Sequence, residues 1–161
     1  MKCSEVVFDS EKDNWGKNTS VFDDKILGKS HLIFVIEDTN GNKFGYYLSS
    51  NISSINNEIF DEHAFLFTLK NNGRITEGNG MMKFEHTKKE WACCVKNKGN
   101  HSLFGIGERF TLCLMKSNCK GCSFYEQYYD CFDYHGTHDV IIGRNETNKF
   151  TPKRIVVIQM K

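Results

Sequence analysis

Proline is nearly absent: Pro152 is the only one in 161 residues. With no low-complexity tract beside it, that composition leaves little room for long disordered segments. Long apolar runs are missing as well. No stretch reaches the roughly 18 apolar residues that a membrane-spanning helix needs. Residues 1–13 hold no apolar block of the kind a secretory signal requires. The expected location is therefore the cytoplasm. The glycosylation sequons at Asn18, Asn51, Asn100 and Asn145 are read as chance. A charge excess is lacking too, since 21 Lys and Arg face 20 Asp and Glu for a net charge of +1. Such a balance gives no reason to expect nucleic acid or an anionic membrane surface as the main partner. The cysteines number 7, an odd count that fits reduced thiols better than a closed disulfide framework.

Aromatic residues are plentiful. Thirteen Phe, 6 Tyr and 2 Trp supply large side chains for a core. Residues 1–161 are read as one domain, able to bury about two thirds of its unfolded surface. Asn40-Gly41 sits between Leu32-Ile33-Phe34-Val35-Ile36 and Phe44-Gly45-Tyr46-Tyr47-Leu48. Asn-Gly between β-formers predicts a hairpin with a two-residue type I′ turn, which needs positive φ at both positions. Further strands are predicted at Glu5–Phe8, Ala64–Lys70, Glu90–Val95, Ser102–Gly107, Phe110–Met115 and Arg154–Met160. Asn72-Gly73 predicts a second hairpin, with Arg74-Ile75-Thr76 as its return strand. A short helix is expected over Val21–Leu27, opened by a capping-box-like spacing of Ser20 and Asp23 and stopped by Gly28. Many short strands without a βαβ rhythm predict a mainly β fold, a β-sandwich.

Several phrases stand in a definite order. Phe8-Asp9-Ser10 with Asp13-Asn14 precedes the Phe22 helix. Lys43-Phe44-Gly45-Tyr46-Tyr47 ends the hairpin, and Asp61 to Leu69 carries Ala64-Phe65-Leu66-Phe67. Phe104-Gly105-Ile106-Gly107 and Phe150-Thr151 each precede a strand. In order and spacing this set resembles the TLDc domain family over Glu5–Lys161. Asn14 and Tyr46 stand where that family usually has Gly, and Val156 or Val157 stands near its usual acidic residue. The resemblance implies a mainly β (α+β) fold, a two-sheet antiparallel β-sandwich with short peripheral helices, and a role in protection from oxidative stress. It also implies, for some members, binding to the vacuolar proton-pumping ATPase. It implies no catalytic residues, so a non-enzymatic module that recognises a protein partner is expected, without a cofactor.

Other motifs have plainer accounts. Phe104-Gly105-Ile106-Gly107 lacks the third glycine of a dinucleotide loop and is followed by a strand pattern, so a turn or close backbone packing is expected. Asp9, Glu11 and Asp13 have the spacing of a calcium loop but not its later ligands, which points to a solvated acidic turn. Lys88-Lys89 and Lys149 to Arg154 read as solvated faces. Phe124, Tyr125, Tyr128, Tyr129, Phe132 and Tyr134 read as core with hydroxyls at the rim. The sharpest constellation is Cys119-Lys120-Gly121-Cys122 with Cys131, His135 and His138. Those residues are candidate zinc ligands or a redox-active thiol set, and the plainer alternative is buried or exposed structural thiols. No nucleophile elbow supports a hydrolase.

Overall fold

The computed structural model describes residues 3–71, 81–108, 110–126, 131–136, 141–142 and 148–161. In chain order the elements are β1 (Cys3–Asp9), α1 (Phe22–Ile26), β2 (Leu32–Asp38), β3 (Lys43–Leu48), β4 (Glu58–Ile59), β5 (Phe65–Lys70) and β6 (Met82–Glu85). A single 3-10 turn (Lys89–Trp91) leads to β7 (Cys93–Val95), β8 (Ser102–Ile106), β9 (Leu112–Met115), β10 (Ser123–Tyr125), β11 (Lys149–Phe150) and β12 (Pro152–Met160). They form two six-stranded sheets, ordered β1-β12-β2-β3-β5-β6 and β11-β10-β9-β8-β7-β4. Among the described residues these strands pair antiparallel throughout. The expected sandwich is the one found. The predicted hairpin at Asn72-Gly73 and its return strand lie outside the described residues.

The first sheet has an aromatic inner face. Its register lines up Phe8, Val157, Phe34, Tyr46, Leu66 and Phe84 in one transverse row. A β-bulge between Val6 and Phe8 turns both Val7 and Phe8 inward. The second sheet answers with Phe104, and α1 adds Phe22. Phe104 stacks on Phe22 at 5.6 Å between ring centroids and meets Phe34 at 5.1 Å. Phe8 meets Phe22 edge-on at 4.9 Å. All four rings are fully buried. Across the same core Phe44 of β3 meets Phe150 of β11 edge-on at 5.3 Å.

Gly45 shows why two of the sequence phrases occur together. A Cβ built there would come within 2.0 Å of the Phe34 carbonyl oxygen and 2.5 Å of the Phe67 ring. Phe67 is its cross-strand partner, so that ring lies over the glycine backbone. Gly105 is covered likewise, with the Phe110 ring 1.9 Å from where a Cβ would sit. Gly107 adopts a φ of 78°, and β9 follows it rather than a helix, as the turn reading expects.

Three local expectations need correction. The β2–β3 loop is not a two-residue type I′ turn. Its Gly41 N–H donates to the Asp38 carbonyl at 3.1 Å, and Gly41 has a φ of 83° while Asn40 is not among the residues with positive φ. That is a type I turn closed by a left-handed glycine. Asp38 selects it, because one of its carboxylate oxygens accepts the N–H groups of Asn40 and Asn42, each at 2.9 Å. The capping box does not form: the N-cap position falls on Val21, which makes no side-chain cap, while Ser20 Oγ accepts the Phe22 N–H at 3.2 Å and the Asp23 carboxylate accepts the Lys98 N–H at 3.0 Å. Glu90-Trp91 belong to the 3-10 turn, not to a strand, and β7 begins only at Cys93.

Truncating Phe104 to Ala removes the ring that joins both sheets to α1 and is expected to cost about 3–5 kcal/mol. Gly45→Ala is expected to cost about 1–3 kcal/mol by overpacking although it adds apolar volume. Urea unfolding followed by circular dichroism measures both. A loss below about 0.5 kcal/mol in either variant contradicts this packing.

Candidate functional site

The outer face of the first sheet is built by the same register. One transverse row reads Val6, Ile158, Ile33, Tyr47, Phe65 and Glu85. The next reads Asp9, Val156, Val35, Gly45, Phe67 and Lys83. An antiparallel sheet with one solvated face normally alternates apolar and polar residues. Here the outward positions of β2 and β12 are β-branched aliphatics. Ile33, Val35, Val156 and Ile158 are half-buried, and Val6 is 57% exposed. At one end the face is framed by charge, with Glu37 held by Lys43 at 3.3 Å and by Lys153 at 2.9 Å. On its β5–β6 side the Lys83 ammonium sits 4.4 Å from the Phe65 ring centroid. None of the cysteine and histidine candidates of the sequence reading that are described lies in these rows. The signal available was the unbroken apolar run Leu32–Ile36, repeated at Ile155–Ile158, which marks strands buried or contacted on both sides.

The acidic turn is structural. Asp9, almost fully buried, receives Arg154 Nε at 3.2 Å and an Arg154 terminal nitrogen at 2.8 Å. That guanidinium holds the Asp9 carboxyl below its ordinary range against the opposing effect of burial. Asp13 accepts the Asp9 N–H at 3.0 Å and pairs with Lys25 at 2.6 Å. These carboxylates are taken up by the fold, tying the β1 end to β12 and α1. The basic clusters are also partly paired, Lys88 with Glu108 and Lys153 with Glu37.

The cysteine constellation separates into two parts. Cys119 and Cys122 lie on the loop between β9 and β10, half-buried and exposed respectively. With Trp15, Met115, Gly121 and Phe150 they line a cleft of about 290 Å³. The loop is held by the Cys119 N–H donating to the Lys116 carbonyl at 3.1 Å and the Met115 N–H donating to Ser123 Oγ at 2.9 Å. Cys131 is elsewhere, 1% exposed within the core. Its sulfur approaches the Glu108 carbonyl at 3.9 Å. His135 is exposed beside Asp133, at 3.4 Å. The zinc set of Cys119, Cys122, Cys131 and His135 is therefore not brought together: among the described residues no three His, Cys, Asp or Glu are grouped to hold a metal ion. The cause is burial, which places Cys131 as a small apolar side chain. His138 lies outside the described residues, as do Tyr128, Tyr129 and Asn145. Tyr125, Phe132 and Tyr134 are core, with the Tyr125 and Tyr134 hydroxyls inside rather than at the rim.

Other buried polar groups went unread in the sequence. Asp61 is fully buried, and its carboxylate accepts from the Ser49 N–H, Ser49 Oγ, the Ser50 N–H and the His63 N–H. It clamps the end of β3 to the start of the β5 segment. Tyr46, fully buried, packs 6.4 Å from the His86 ring and 6.3 Å from Phe132. His86 is 5% exposed, with neither ring nitrogen hydrogen-bonded. Burial lowers its pKa to about 4. Burial also pushes the Cys93 and Cys94 thiols up, and Cys113 to about 11. These three sulfurs are kept as thiols, the reverse of what a nucleophile needs.

The His86 shift sets a pH dependence. Its folded pKa lies below the unfolded value of 6.5, so its contribution is complete above 6.5 and is lost as pH falls toward 4. Between pH 7 and 5 the loss is expected to be about 2 kcal/mol. Denaturant midpoints at the two pH values measure it, and His86→Phe should flatten the difference. A midpoint difference unchanged in that variant assigns the effect to other groups.

Among the described residues no helix is long and apolar enough to cross a membrane. A search of curated proteins returns no match. The family model of the TLDc domain matches residues 1–155 of this 161-residue chain. That span takes in both sheets up to the middle of β12, and with it the packing of Phe67 on Gly45 and of Phe110 on Gly105. The chain belongs to the TLDc domain family.

Proposed function

We propose that this chain is a non-enzymatic interaction domain that docks a protein partner on the outer face of its first sheet. The observation that carries the reading is the aliphatic surface of Val6, Ile33, Val35, Val156 and Ile158. An apolar patch with a charged rim is the composition of a protein interface: an apolar centre, then a polar margin. The rim here is Glu37, Lys43, Lys153 and Arg154, both signs interspersed. A rigid face of this kind recognises a folded surface without reorganising its own backbone.

The partner favoured by the family is a subunit of the vacuolar proton-pumping ATPase, met in the cytoplasm, with protection from oxidative stress as the downstream role. The raised thiol pKa values of Cys93, Cys94 and Cys113 support a domain that acts by contact rather than by covalent chemistry.

The test uses a double variant, Val6→Glu with Ile158→Lys. These residues are direct cross-strand partners, so the new charges face each other and keep the pairing while removing the apolar surface. Capture from native lysate should recover pump subunits with the unchanged chain and at least about tenfold less with the variant, a loss of about 1.4 kcal/mol. Recovery of no pump subunit overturns the choice of partner. Equal recovery by both chains overturns the choice of face.

A further inference from the structure

We propose that Cys119, Cys122 and Met115 form a binding site for copper(I). The cleft between β9 and β10 gathers three sulfur-bearing residues in its lining. Met115 is not merely nearby: its Cε lies 2.6 Å from where a Cβ of Gly121 would be, and its Sδ 3.7 Å. The thioether therefore packs directly on the Cys-x-x-Cys turn, at the one position of that turn without a side chain. Any larger residue at 121 would displace it.

The donor set decides the metal. Thiolate and thioether are soft ligands, which select copper(I), whereas zinc sites are completed by imidazole, carboxylate or further thiolates to four. Among the described residues no Asp, Glu or His lines this cleft. Copper(I), content with two or three sulfurs, fits what is present. Access also fits. Cys122 is exposed and Cys119 half-buried, while Cys93, Cys94, Cys113 and Cys131 are buried.

Charge is provided for. Two thiolates and one copper(I) leave one net negative charge, since binding releases the two thiol protons. Lys116 lines the same cleft and is 2% exposed, its ammonium anchored by the carbonyls of Asn97 at 2.6 Å and Asn100 at 2.8 Å. Trp15 lines the same cleft and supplies a local reporter.

The experiment is an anaerobic titration of the reduced, full chain with copper(I) against bathocuproine disulfonate, followed by competitor absorbance and by tryptophan emission. One copper(I) per chain is expected. Cys119→Ser and Cys122→Ser should each weaken binding by more than about 100-fold, beyond the loss of an outer-shell partner. Met115→Leu, which keeps the volume, should weaken it about tenfold. Cys131→Ala should bind as the unchanged chain does. Binding that survives Cys122→Ser within threefold, binding lost in Cys131→Ala while the chain stays folded, or no competitive binding at all overturns the proposal. So does a preference for zinc in the same assay.

Discussion

Four buried rings hold the sandwich in one arrangement. Phe8 and Phe34 come from the first sheet, Phe104 from the second and Phe22 from α1, and their centroids lie within 6.4 Å of one another along the chain of contacts. The cluster matters beyond its buried area, because the strands of the first sheet are apolar on both faces. A strand that slips by one residue exchanges its two faces, and a hydrophobic pattern prevents this only where one face is polar. In β2 the outward residues are Ile33 and Val35 and the inward ones Leu32, Phe34 and Ile36, so polarity alone discriminates poorly. Ring size discriminates instead. In β2 Phe34 fits against Phe104 on the inside, and the opposite face carries the smaller Ile33 and Val35.

Polar clamps reinforce that choice at the strand ends. Asp38 fixes the length of the β2–β3 loop by accepting two backbone N–H groups, and Asn42 Nδ2 reaches the Ile142 carbonyl at 3.1 Å. Asp61 anchors Ser49 and Ser50 just beyond β3. Asp9 and Arg154 tie β1 to β12. Each is a buried or nearly buried carboxylate satisfied by several donors, the condition under which a buried charge is tolerated. The inner face thus sets the register, the clamps lock it, and the outer aliphatic rows follow as a consequence.

Much of the architecture was legible in the chain. Asn40-Gly41 marked the hairpin, and most strands fell where apolar runs met turn residues. What escaped was decided by which partner each side chain found, near or far in sequence. The loop type depended on the Asp38 carboxylate, not on Asn-Gly alone. Asp23 looked like a capping partner but was drawn to Lys98, 75 residues away. The Cys119 and Cys122 pair was readable from spacing, whereas the position of Cys131 in the core was not, since a buried and a ligating cysteine look alike in sequence. The outer face stayed hidden for a related reason: an unbroken apolar run says that a strand is covered twice, without saying by what.

The account rests on the first sheet having one face for folding and the other for a partner. Methyl NMR reads this directly, with labelled Ile and Val followed during titration with the isolated peripheral subunits of the proton pump. The account predicts shifts concentrated on Val6, Ile33, Val35, Val156 and Ile158, with Ile26 and Ile106 of the core unmoved. Shifts centred instead on the cleft around Cys119 and Cys122, with the outer face silent, would contradict it.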